Sequence, residues 1–280
     1  MIWSKVSRFF LMRKRLFIVL YMIKVLTVAG SDSGGGAGIQ ADIKTIYALG
    51  AYPVTVISAL TAQNSAGVDS ILEVPPDFIV AQLDSVIGDM SPHATKIGML
   101  LNAGILKAVV SIVEKNRLPL LVVDPVILSS TGKVLLESNG ISLMREQLLP
   151  LATVVTPNLH EAEVLSGQRV GSIEEMVAAA QRIKEFGPAN VIVTGGHLEK
   201  ECVDIVYNGE EVYQFGGARL ETAHTHGSGC VFSAALATFL AMGNSVIKGA
   251  EMANSFTRKA ISKGFKVGKG PGSVQPAIEA

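Results

Sequence analysis

The sequence predicts an α/β fold: a mostly parallel sheet covered by helices on both faces. Three observations carry that prediction. Short apolar runs that read as buried strands alternate with segments whose apolar residues recur at helical spacing. Glycine, proline or polar residues close the strand-like runs. Finally, 49% of the 280 residues are apolar, ample for a buried core. No composition break marks a linker and no internal repeat is visible, so one domain over residues 24–280 is the simplest organisation.

Each element has its own signal. Val25-Leu26-Thr27-Val28-Ala29 is an apolar run stopped by glycines and predicts the first strand. Ile39, Ile43, Ile46 and Tyr47 predict a helix over 39–49 that Gly50 ends. Residues 54–58 read as the second strand. Pro75 and Pro76 open a helix in which Ile79, Leu83, Val86, Ile87 and Met90 share one face. Residues 120–123 and 153–156 are strands ending in Asp124-Pro125 and Pro157-Asn158. Ser172 and Glu175 form a capping-box signature for a helix reaching Phe186. A strand over 191–194 ends in Gly195-Gly196. Tyr207-Asn208-Gly209-Glu210 marks a hairpin turn between 203–206 and 211–215. Helices over 228–242 and 246–263 follow.

Residues 1–23 stand apart. Arg13-Lys14-Arg15 precedes an apolar run from Leu16 to Ile23 without a small-residue cleavage site, and that run is shorter than the about 20 residues a membrane span needs. A non-catalytic N-terminal extension, with Met22 as the true start, is the expectation. Zero net charge with scattered Lys and Arg gives no basic stripe for nucleic acid. Two cysteines, Cys202 and Cys230, are too few for a disulfide framework, which points to reduced thiols in the cytoplasm.

The chemistry centres on Thr225-His226-Gly227-Ser228-Gly229-Cys230, directly before an apolar helix. A glycine-rich entry into a helix offers unpaired N–H groups and the positive end of the dipole to an anion. Cys230 falls in the first turn, where a thiol is expected to ionise more easily and to serve as a base. An anion cradle beside a base points to phosphoryl transfer. A rival loop lies at residues 30–38, where Gly36-Ala37-Gly38-Ile39-Gln40-Ala41 formally fits a dinucleotide-binding pattern and would make the chain an oxidoreductase. The acidic residue expected after the second strand is missing there, and no Walker sequence is present. Asn158 and Glu161, spaced to share a helix face, fit either cation binding or a helix cap, and Asp124 is a second carboxylate for either role. His224 and His226 lack a third partner and are not read as a zinc site. Gly30-Ser31-Asp32, Thr61-Ala62-Gln63-Asn64, Asp124, Asn158 and Gly195-Gly196 follow strands, so in an open α/β sheet they are expected to converge on one edge.

Several segments, taken in order, resemble the hydroxymethylpyrimidine/phosphomethylpyrimidine kinases of the ribokinase-like group. They are residues 29–42, Ala62-Gln63-Asn64, Lys96-Ile97-Gly98-Met99-Leu100, Val123-Asp124-Pro125-Val126, residues 156–162, Gly195-Gly196-His197, residues 225–230 and Val267-Gly268-Lys269-Gly270. The resemblance implies a ribokinase-like three-layer sandwich. It also implies ATP-dependent phosphorylation of 4-amino-5-hydroxymethyl-2-methylpyrimidine, and then of its monophosphate, in thiamin biosynthesis. Gly30, Asp42, Gln63, Met99 and Val126 would form the substrate pocket, and the Gln63 amide matches an aminopyrimidine edge. Gly227, Ser228, Gly229 and Cys230 would be catalytic. Asn158, Thr194, His197 and Lys269 would lie on the ATP side, with Asp124 and Glu161 near Mg²⁺. A homodimer is implied as well, and because the chain stops soon after Pro276 no fused second thiamin enzyme is expected. Pyridoxal kinases share the fold, and some share the cysteine, so they remain the alternative.

Overall fold

The computed structural model describes residues 22–129, 132–196, 198 and 201–276. The expected extension over 1–23 therefore lies outside them except for Met22 and Ile23, and His197 also lies outside. Among the described residues, β1 (Lys24–Asp32), β2 (Tyr52–Asn64), β3 (Gly67–Glu73), β4 (Ala94–Ile97), β5 (Leu121–Val123), β6 (Val154–Val155), β7 (Asn190–Val193), β8 (Glu201–Tyr207) and β9 (Val212–Ala218) form one nine-stranded sheet. Its order is β3-β2-β1-β4-β5-β6-β7-β8-β9. The strands from β2 to β7 pair in parallel, while β3 at one end and β8 and β9 at the other are antiparallel.

The helices are α1 (Gly38–Ala48), α2 (Pro76–Met90), α3 (Ala103–Asn116), α4 (Ser138–Leu143), α5 (Leu159–Ser166), α6 (Ile173–Lys184), α7 (Ser228–Ala241) and α8 (Val246–Ser262). Alternation along the strands divides the core into two layers. Leu26, Val28, Val123, Val155, Val191 and Val193 face a core closed by α2, α3, α5 and α6. Their neighbours Val25, Val122, Val154 and Ile192 face another, closed by Ile46 of α1, Phe232 and Leu236 of α7, and Ala250 and Ala253 of α8. Helix α7 is buried continuously from Val231 to Leu240, as an all-apolar helix must be. No helix of the described residues is long and apolar enough to cross a membrane.

Three differences from the sequence reading matter for the site. β2 runs on to Asn64 and pairs with β3, so Gln63 is held on a strand rather than in a free loop. β4 escaped notice because Lys96 interrupts its short apolar pattern. Helix α5, eight residues long, is too short for periodicity to announce it.

Candidate active site

Lys96 lies in β4 at the centre of the sheet, with no exposed surface. Its Nζ donates to Asp42 Oδ1 at 3.1 Å and Oδ2 at 2.9 Å, and stands 3.9 Å from Asp124 Oδ2. Asp42, on the buried face of α1, also accepts from Thr27 Oγ1 of β1 at 2.5 Å. Asp124, one residue past β5, accepts from Ser233 Oγ of α7 at 2.9 Å. One ammonium thus ties together β1, α1, β4, β5 and α7. Burial opposes its charge, yet Asp42, Cys230 and Asp124 outweigh burial and hold Lys96 protonated above the ordinary lysine range. Burial pushes both the Asp42 and Asp124 carboxyls up against the pull of Lys96.

The two glycine loops form one structure. Gly227 has φ +86°, and a side chain there would come within 1.9 Å of the Gly36 carbonyl oxygen. A side chain at Gly36 would in turn strike the His226 ring. The first loop is not an open anion cradle, because its own carboxylate occupies it. Asp32 accepts from the N–H groups of Gly34 (2.7 Å), Gly36 (3.0 Å) and Ala37 (2.8 Å). That removes the physical basis of the dinucleotide reading.

At the second loop the expectation holds in part. The Ser228 N–H is engaged by the Thr225 carbonyl at 3.1 Å. The N–H groups of Gly229 and Cys230 have no protein acceptor among the described residues, and these two remain to meet an anion. Cys230 corrects the sequence reading. Burial, helped by the charges of Asp42 and Asp124, pushes its thiol up to about 12, although Lys96 and the Gly38 N–H pull the other way. The helix-end effect loses to desolvation, and the resting group is a thiol.

Gly30, Met99 and Val126 lie together. A Cβ on Gly30 would lie 3.0 Å from Met99 Sδ, and Val126 packs against the cluster of Met99, Ala59 and Leu135. Gln63 joins the same edge through His226, whose Nε2 lies 3.5 Å from the Gln63 amide and 3.1 Å from Asp32 Oδ2. Asp42 does not line an open surface. It is fully buried and reaches the site through Lys96.

On the other side, Asn158 and Glu161 form a reciprocal capping box at α5, each side chain accepting the other's backbone N–H at 3.0 Å. Burial and the charge of Asp124 push Glu161 up to about 8. Thr194 adjoins this cap, its N–H donating to the Pro157 carbonyl. The next residue, Gly195, donates its N–H to buried Asp204, which also accepts from Asn254 of α8 at 2.7 Å. Lys269 is exposed, and its neighbours Gly268 and Gly270 pack on Ser65, two residues past Gln63. It therefore stands with the β2–β3 hairpin.

The places of Lys96, Asp32, His226 and Asp204 in this cluster were not read from the sequence. A lysine inside an apolar strand was the available signal for Lys96; the others are defined by partners far away in sequence.

Residues 32–275 match the family model described as phosphomethylpyrimidine kinase. The chain belongs to that family. It is a kinase, and its fold is ribokinase-like. It is 44% identical to the hydroxymethylpyrimidine/phosphomethylpyrimidine kinase of Streptomyces coelicolor, over 89% of this chain and 93% of that one. It is 42% identical to a thiamine biosynthesis bifunctional protein of Geobacter sulfurreducens, over 91% of this chain, and spans 52% of that relative's length. Among solved structures it is similar to a Bacillus subtilis pyridoxal kinase in complex with ADP, with a TM-score of 0.85 and 35% identity over 91% of this chain and 97% of that one. In this kinase the glycine loops, the Lys96 cluster and Gln63 occupy the edge where strand ends meet helix starts, the usual place for ligands in such sheets.

Proposed function

We propose that this kinase transfers the γ-phosphoryl group of ATP to 4-amino-5-hydroxymethyl-2-methylpyrimidine, and then to its monophosphate, in thiamin biosynthesis. The observation that carries the reading is the pair of unengaged N–H groups at Gly229 and Cys230, opening a buried helix within one cluster with Gln63 and the Lys96 ion pair. In this reading those N–H groups receive the transferring phosphoryl oxygens, and their fixed dipoles need no reorganisation as charge develops. Gln63 reads the aminopyrimidine edge, with Gly30, Met99 and Val126 along the ring faces. Lys96 balances Asp42 and Asp124, which keeps the floor of the site from repelling phosphate. The Cys230 thiol stands at the acceptor position. In a loose transition state the alcohol loses its proton late, so a strong base is not required.

Asp124 and Glu161 fit a magnesium ion held mainly through phosphates and water, since a cation would offset the burial and the Asp124 charge that together raise Glu161. When bound, Mg²⁺ would neutralise charge on the nucleotide phosphates. Asn158 and Thr194 lie on the nucleotide side of this reading; His197 and Lys269 are proposed there on the resemblance alone. The proposal includes one kinase domain from residue 24 onward, a homodimer, a cytoplasmic setting, and no nucleic-acid or membrane partner.

Steady-state kinetics on the aminopyrimidine alcohol and on pyridoxal test the reading. A higher kcat/KM on the aminopyrimidine is expected; a much higher value on pyridoxal would replace it. That second reading is favoured by one observation, the 0.85 TM-score to a pyridoxal kinase.

A further inference from the structure

Asp32 cannot donate a hydrogen bond to His226. Its Oδ2 already accepts from Gly36 at 3.0 Å and Ala37 at 2.8 Å. Despite burial, His226 and the N–H groups of Ala37 and Gly34 hold the carboxyl below its ordinary range, so it is a carboxylate. The 3.1 Å contact with His226 Nε2 is therefore a hydrogen bond in which Nε2 carries the proton and donates it. One end of the Gln63 amide lies 3.5 Å from that same nitrogen. Beside an N–H, that end must be an acceptor.

The other end of the amide leads independently to the same orientation. Thr61 Oγ1 gives its single proton to the Ser31 carbonyl at 2.9 Å. It faces the Gln63 amide, at 3.4 Å, with lone pairs only. The end beside Thr61 must be a donor. The amide stands with Nε2 toward His226 and Oε1 toward Thr61, but the two ends are equal in shape and are told apart by their partners. Both partners require the half-turned group.

We propose that His226, held by Asp32, is a positioning residue that fixes the Gln63 amide with Oε1 toward His226 and Nε2 toward Thr61, and so selects an amino-substituted ring edge over its oxo counterpart. This rests on the aminopyrimidine reading above. Oε1 then accepts from the ring amine, and Nε2 donates to the adjacent ring nitrogen. The carbon that bears the hydroxymethyl group adjoins the amine-bearing carbon on the side away from that ring nitrogen. The same orientation therefore sends the alcohol toward His226 and the segment 227–230 that follows it. An oxo ring presents an acceptor where the amine was and an N–H where the ring nitrogen was. It can pair only with the reversed amide, whose Nε2 would confront the His226 N–H.

The experiment compares kcat/KM for the 4-amino alcohol and its 4-oxo analogue in the full chain, in His226→Phe and in His226→Gln. Phenylalanine removes the donor; glutamine keeps an N–H near the position of Nε2. The preference for the amino ring is expected to fall about tenfold to hundredfold in His226→Phe and to persist in His226→Gln, with the KM for ATP unchanged in both. An unchanged preference in His226→Phe, or an equal collapse in both variants, overturns the proposal. Nitrogen-15 NMR of the unsubstituted protein reads the tautomer without any variant: Nε2–H is expected, and Nδ1–H alone overturns it. If the unsubstituted protein turns over neither alcohol, the functional reading fails, while the tautomer measurement still decides the arrangement of the three side chains.

Discussion

The Nζ of Lys96 lies 2.9 Å from the Oδ2 of Asp42, and neither side chain has any contact with solvent. Two charges removed from water are held only by each other and a few hydrogen bonds, so losing one partner strands the other. Lys96→Met is expected to cost about 3–5 kcal/mol of stability, read from urea unfolding. The double replacement Lys96→Met with Asp42→Leu should cost less than the sum of the single ones, because the Asp42 charge is no longer stranded. Strict additivity would show that the ion pair does not anchor the floor of the site.

Glu161 gives the fold a pH dependence. Burial and the nearby Asp124 raise its carboxyl from an ordinary 4.5 to about 8. The folded state therefore holds a proton that the unfolded chain releases sooner. Its contribution to stability is complete below 4.5 and is lost as pH rises through about 8. Glu161→Gln, which keeps an acceptor oxygen for the Asn158 N–H, should flatten the decline across that window. A decline of the same depth in the variant would assign it to other groups.

Cys230 should behave as a protonated thiol. With its proton held up to about 12, alkylation by iodoacetamide in a Cys202→Ser background should be slow at neutral pH and still be rising well above pH 9. A rate that levels off near pH 7 would restore the ionised thiol expected from its place at a helix start.

Gln63 should act on one substrate only. Gln63→Ala is expected to raise the KM for the aminopyrimidine at least tenfold, the loss of a paired hydrogen-bonding edge, with the KM for ATP little altered. Equal losses for both substrates would place the side chain elsewhere in the reaction.

The parts of this protein legible in its sequence are those set by local pattern. The apolar run 25–29 announced β1, which passes through Gly30 to Asp32, asparagine and glycine turned the β8–β9 hairpin, and an unbroken apolar run announced α7. Gly227 was legible as the entry to α7. What stayed hidden depends on distant partners. Lys96 is given meaning by Asp42 and Asp124, which other elements supply. The Cys230 thiol was read from its helix alone, whereas its proton is held by burial and by those two carboxylates. Asn158 and Glu161 carried a cap signature in their spacing, and the structure uses it as a cap. Asp32 offered no sequence signal that it would fill the first glycine loop itself.

The central claim is that the unengaged N–H groups opening α7 carry the transferring phosphoryl group. Gly229 is exposed and a Cβ there meets nothing within 4 Å, so alanine fits, and proline, tolerated in the first turn of a helix, is the substitution that removes the N–H. The most direct measurement is kcat on the aminopyrimidine alcohol for Gly229→Ala against Gly229→Pro. The account predicts near-normal turnover for alanine and a loss of about a hundredfold to a thousandfold for proline, the usual effect of removing one such donor. Equal turnover in the two variants would contradict it.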